Sequence, residues 1–223
     1  ENFSERKRVE EALDKIETLP IDYINISGIP FEESLAIIRR WIHKNVGFED
    51  DGRTKDCMII YDYVKLMNGE DLKIGVQEYQ VLGFMMTSLH NLAVRNDVPI
   101  FTMIQLNRDG IDKETADVVA GSDRVMWLTT NFSIFKPKSD EELQTSDAKE
   151  GTHKLVIIKH RHGPGMGRGD YINMTMEGAK ARITEGKTKF KIQRDNEMGI
   201  NPQPENVSDE IDDIPFGEDH AKN

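Results

Sequence analysis

Residues 57–67 read CMIIYDYVKLM, and the short apolar run closed by Asp62 decides the fold class. A near-continuous apolar stretch of this length suits a strand buried on both faces, as in a parallel sheet. Downstream, Val98–Ile104 (VPIFTMI) repeats the pattern and ends in Gln105-Leu106-Asn107-Arg108. Between the two runs, residues 76–95 carry Leu82, Met85, Leu89 and Leu92 at helical spacing, and Asn96-Asp97 stops the helix. Strand, helix and strand in this order predict a parallel pair joined by a crossover helix.

Working outward toward the N-terminus, residues 47–56 (GFEDDGRTKD) form a polar loop, preceded by a helix that ends near Asn45 and buries Leu35, Ile38 and Trp41. Ile21–Ile26 alternates like a short strand, and residues 4–19 spell an amphipathic helix with Val9, Leu13 and Ile16, capped by Ser4 and ended by Pro20. Toward the C-terminus, Arg124–Leu128 (RVMWL), Phe132–Phe135, Lys154–Lys159 (KLVIIK) and Tyr171–Met176 read as strands. Residues 136–152 read as a flexible polar loop, and GPGMGRG, residues 163–169, as a turn. The expected fold is α/β, a mostly parallel sheet with antiparallel C-terminal strands. Its expected division is a domain over 1–178 and a largely disordered acidic tail over 179–223.

Composition narrows the function classes. The chain has 223 residues, a 37% hydrophobic and 7% aromatic content that leaves part of it unpacked, and one cysteine, Cys57, which excludes a disulfide framework and fits a reducing cytosol. No apolar run nears the ~20 residues of a membrane span. The formal net charge of −11 speaks against nucleic acid, yet residues 199–223 hold seven acids against Lys222 alone. The body is therefore closer to neutral, and a nucleic-acid loop needs only a few donors.

Three constellations carry chemistry, and each also has a plain structural reading. Asp62, at a strand's carboxyl end, can hold Mg²⁺ through water or simply cap the strand. Gln105 would stand beside it on a neighbouring strand and can hydrogen-bond a γ-phosphate, or merely open a polar loop. Lys159 and Arg161, in KHRHGP (159–164), point to one side of an extended chain and suit phosphate. They equally suit a solvated strand end. The flanking histidines have no acid or cysteine nearby to complete a zinc site.

Taken in order, the three segments resemble DnaB-type replicative helicases, closest to phage proteins of the T-even kind. CMIIYDYVKLM resembles the family's Walker B strand, VPIFTMIQLNR its sensor strand, and KHRHGPG its Lys-x-Arg-Asn-Gly-Pro motif, across Ile21 to Met176. The resemblance implies a RecA-like ATPase core that uses ATP or another NTP with Mg²⁺. Asp62 would be the Walker B acid and metal-orienting group, Gln105 the phosphate sensor, and Arg161 an arginine finger with Lys159 its companion. Both cations would serve a neighbouring subunit's nucleotide, which implies a hexameric ring. Residues 109–121, with Arg108, Lys113 and Gly121, fall where the family has a loop gripping single-stranded DNA, although Asp109, Asp112, Glu114 and Asp117 equally suit an ordinary surface loop. His162 replaces the family's usual Asn.

The phosphate-cradling G-x-x-x-x-G-K-[ST] loop is absent from the sequence. The resemblance places it upstream, so the chain reads as the C-terminal half of the core, inactive as an ATPase without an N-terminal helicase half. Glu1 in place of methionine fits a processed or divided product. Asp212-Asp213-Ile214-Pro215-Phe216 resembles the acidic tip of bacterial single-stranded-DNA-binding proteins, although Gly217–Asn223 follow it. Primase, a helicase loader or a single-strand-binding protein are the partners these features imply, with no membrane role. The expected location is the cytoplasm, of a bacterial host if the protein is phage-encoded. Two other functions fit less closely, a RecA/RadA-like recombination ATPase and a non-catalytic replisome module.

Overall fold

The computed structural model describes residues 3–64, 78–105, 114, 123–145, 150–163 and 165–200. The chain divides into two compact units, Glu1–Gln105 and Leu106–Asn223.

In the first unit, α1 (Phe3–Thr18) is followed by α2 (Phe31–Trp41), which runs into a π-helical turn, Ile42–Val46. Strand β1 (Ile59–Val64), helix α3 (Glu78–Asn96) and strand β2 (Ile100–Ile104) then build the expected crossover. β1 and β2 pair in parallel, with Ile59 opposite Ile100 and Tyr61 opposite Thr102. The Thr102 hydroxyl ties the pair further by donating to the Tyr61 carbonyl at 2.6 Å. The core beneath is Ile42, Ile59 and Val98, flanked by Ile38, Trp41, Cys57 and Ile100. Tyr61 meets Phe31 edge to face at 6.1 Å, and its hydroxyl lies 3.3 Å from that of the buried Ser34.

Burial of β1 departs from expectation. Ile59, Tyr61 and Val64 are buried, but Ile60 is 61% exposed and Phe101 on β2 is 57% exposed. Among the described residues the apolar run therefore alternates in burial. Residues 21–26 form no strand. They are instead tethered to the end of α2, where Asp22 accepts from the Trp41 indole at 2.7 Å.

The second unit is a four-stranded antiparallel meander, in the order β3 (Asn131–Pro137), β4 (His153–His160), β5 (Ile172–Glu177), β6 (Arg182–Thr188). Three sequence expectations need correction here. RVMWL is not a strand but lies in helix α4 (Asp123–Leu128). Its β-forming side chains are overruled by tertiary contacts, because Val125 is fully buried and side chains from β4 and beyond satisfy the helix's last carbonyls. The supposed loop at 136–152 contains helix α5 (Asp140–Thr145), started by a reciprocal cap in which Glu142 N–H donates to the Ser139 hydroxyl and Ser139 N–H to the Glu142 carboxylate. The strand at 172–177 is not the last, since β6 and α6 (Lys189–Glu197) follow it across the expected 178/179 boundary. A hydroxyl cap from Thr188 to Lys191 N–H opens α6. The acidic segment 201–223, with its Asp-Asp-Ile-Pro-Phe motif, lies outside the described residues.

Among the described residues, no helix is long and apolar enough to cross a membrane. The fold is thus α/β with a small parallel sheet and a larger antiparallel one, consistent with part of a RecA-like core.

Candidate functional site

Parallel pairing sets the first constellation. Because β1 and β2 run in the same direction, with Val64 opposite Ile104, Asp62 and Gln105 stand at the carboxyl ends of adjacent strands. Ligands of open α/β sheets sit at that end. Both side chains are exposed, whereas Tyr61 and Val64, which flank the Asp62–Tyr63 pair in β1, are buried in the core. The two strands are neighbours, as anticipated from sequence, with Asp62 two residues before and Gln105 one residue after the Val64–Ile104 pair. The Asp62–Tyr63 peptide is cis.

One exposed carboxylate at a strand end fits what Mg²⁺ asks of a protein, since this ion keeps most of its waters and takes one or two carboxylates plus phosphate oxygens. The described residues hold no cluster of three or more His, Cys, Asp or Glu side chains that would form a cage for a metal. A nucleotide's phosphates fit less well, because no amide cradle with its lysine occurs in the sequence.

The second constellation is in the antiparallel unit. β4 ends at His160, and Arg161 continues it by donating its backbone N–H to the Thr130 carbonyl at 3.1 Å. Lys159 and Arg161 reach the same feature, the C-terminal end of α4. The Lys159 ammonium donates to the Met126 carbonyl and lies 3.4 Å from that of Trp127, while the Arg161 guanidinium donates to the Trp127 carbonyl. The end of a helix carries partial negative charge, so it holds two cations side by side. Partial burial, and then the Arg161 charge beside it, lower the Lys159 ammonium below the usual lysine range. Gly163 closes the motif at φ +147°, and a Cβ there would lie 2.6 Å from the His160 ring nitrogen. That position demands glycine.

Arg108, Lys113 and Gly121, expected to contact DNA, lie outside the described residues. Of the acids among them Glu114 is described. It pairs with Lys136 at 3.1 Å and with Lys154.

The sequence reading missed one charged network entirely. Lys136, Lys138 and Lys154 are all buried, and Lys138 and Lys154 lie over the Tyr171 ring at 5.9 and 5.0 Å. Glu114 and Glu142 meet Lys154. Burial alone would raise both carboxyls, but hydrogen bonds from Lys154, with Lys136 added at Glu114, hold them below the usual range. The available signal was the alternation of Ile134, Lys136 and Lys138, which places the two lysines on the inward face of the strand and its extension.

No family model matches the chain, and no curated protein does. Among solved structures 21 chains match. The chain is similar to one described as an ATPase domain, at a TM-score of 0.62 and 16% identity over 81% of this chain and 60% of that one. It is also similar to a DnaB-like replicative helicase described with its interactions with primase, at a TM-score of 0.62 and 15% identity over 79% of this chain and 40% of that one. The chain thus spans less than two thirds of each. At such identity the likeness establishes the fold alone, one shared with parts of these two proteins.

Proposed function

We propose that this chain is the part of a replicative 5′–3′ DNA helicase core that orients the metal, senses the γ-phosphate and supplies a finger to its neighbour in a hexameric ring. The observation that supports this reading is the parallel pairing of β1 and β2, neighbouring strands whose carboxyl ends carry Asp62 and Gln105, in a fold similar to that of a DnaB-like helicase. In this reading Asp62 would hold Mg²⁺, which would orient the phosphates, and Gln105 would hydrogen-bond the terminal phosphate and couple its loss to the DNA-binding residues Arg108, Lys113 and Gly121. Arg161 and Lys159 stabilise charge that develops on the phosphoryl group bound by the adjacent subunit. The phosphate cradle comes from polypeptide outside residues 1–223, and NTP hydrolysis then drives translocation on single-stranded DNA.

DNA-stimulated ATPase tests this. The chain alone gives background activity, and mixing it with a polypeptide bearing the phosphate loop restores turnover. Arg161→Ala in that mixture reduces the rate by about 10³-fold or more. Substantial hydrolysis by the isolated chain, or full activity of Arg161→Ala, overturns the assignment.

A further inference from the structure

A basic face on the first unit has no part in the nucleotide chemistry above. Arg39, Arg40, His43 and Lys44, all exposed, line a shallow depression of ≈ 500 Å³ along one side of α2 and its π turn, with Ala36 at its upper end. α2 buries Leu35, and its π turn buries Ile42. Arg95, at the end of α3, shares a second depression with Arg39, Leu35 and Glu32. None of Arg39, Arg40, Lys44 or Arg95 forms an ion pair among the described residues. A basic last turn stabilises a helix by complementing its dipole. That effect needs one or two cations, not four exposed on one side. The acids of α2, Glu32 and Glu33, sit in its first turn, and neither lines the first depression.

We infer that this face is a binding surface for the phosphate backbone of a single nucleic-acid strand, separate from the loop expected to grip DNA. Arg39–Arg40 and Lys44, with the His43 ring beside it, stand about one helical turn apart along the axis, roughly 6 Å at ~1.5 Å per residue. They form a track rather than a point site. Beside the track the Phe48 ring is 39% exposed and held edge-on by His43 at 4.8 Å between centroids. A half-open, braced aromatic ring next to cations is the platform on which an unpaired base stacks. A duplex cannot present a base in that way, and an acidic peptide has no use for the ring.

The inference does not depend on hydrolysis, so its test is run without nucleotide on the full chain. Fluorescein-labelled oligothymidylate is titrated by anisotropy over a salt series. The expected result is measurable binding at low salt whose logarithm falls with log salt by about 0.7 per phosphate contacted. Arg39→Glu/Arg40→Glu/Lys44→Glu abolishes most of it, and the neutral Arg39→Gln/Arg40→Gln/Lys44→Gln flattens the slope by about 2, as loss of three contacts requires. Phe48→Ala weakens binding with the slope unchanged. Circular dichroism of each variant matches the parent, because the substituted cations are exposed. Absence of binding by the parent chain, or an unchanged slope in the Gln variant, overturns the inference. So does a peptide of residues 205–219 that displaces the oligonucleotide and binds this face more tightly than the oligonucleotide does, which would assign it to acidic peptide instead. Each outcome is readable whether or not ATPase is ever reconstituted.

Discussion

The parallel pair β1–β2 and the antiparallel sheet β3–β6 are stabilised by opposite chemistry. Beneath β1 the core is apolar, Ile42 against Ile59 and Val98, and the polar groups Asp62 and Gln105 are left exposed. On the inward side of β3 and β4, three lysines are buried, and carboxylates and an aromatic ring gather around them. An apolar layer loses stability by leaving cavities and is indifferent to pH. A buried ionic network fails when one partner is removed and depends on protonation. The first arrangement leaves a sheet end free for chemistry, and the second fixes the strand from which Lys159 and Arg161 project.

Substitution should separate the two regions. The largest expected effect is Lys154→Ala, which leaves Glu114 and Glu142 facing each other without their shared cation and should cost about 3–5 kcal/mol in urea unfolding. A loss near zero would show that the network is ornamental. Ile42→Val removes one methyl from a fully buried position and should cost about 1 kcal/mol, equally at pH 7 and pH 4. Similar in size is Ser139→Ala, about 1 kcal/mol from the lost cap of α5, read by the same unfolding curve. Acid sharpens the contrast. The Glu114 and Glu142 carboxyls are held below the unfolded value of 4.5, so the unfolded chain takes up protons first. Their stabilisation is complete above that value and is lost as pH falls through the lower folded ones. Lys154→Ala should blunt that acid sensitivity and Ile42→Val should leave it alone. Smallest of all, Arg6→Ala on α1 breaks an exposed pair with Glu10 and should shift stability by less than about 0.5 kcal/mol.

Legibility in the sequence follows the same divide. Apolar runs and helical spacing are one-dimensional signals, so the crossover from β1 through α3 to β2, and with it the pairing of the strands that carry Asp62 and precede Gln105, could be read from residue order. Which face of β1 is covered could not, because exposed Ile60 and buried Ile59 are the same residue type. RVMWL has strand composition, and its helical state depends on donors from Lys159 and Arg161, more than thirty residues away. Buried lysines defeat any reading that equates charge with surface, so residues 136–152 looked like a loop. The Ser139–Glu142 cap was legible in principle, as S-x-x-E ahead of a short helix, but no apolar run followed to draw attention to it. The basic side of α2 was written in plain order too, yet a whole-chain charge of −11 concealed it.

The grip of Lys159 and Arg161 on α4 has a consequence for timing. A phosphate that recruits Arg161 must outcompete the Trp127 carbonyl, and that carbonyl must find another donor once the guanidinium leaves. Hydrogen bonds to charged groups contribute roughly 1.5–3 kcal/mol each, so the exchange sets a threshold that a weakly placed anion does not cross. The end of α4 thereby acts as a competitor in the thermodynamic sense, and it brings its own gauge. Trp127 is one of two tryptophans in the chain and is 68% exposed. In Trp41→Phe its emission would report, without any label, the moment at which the cations let go.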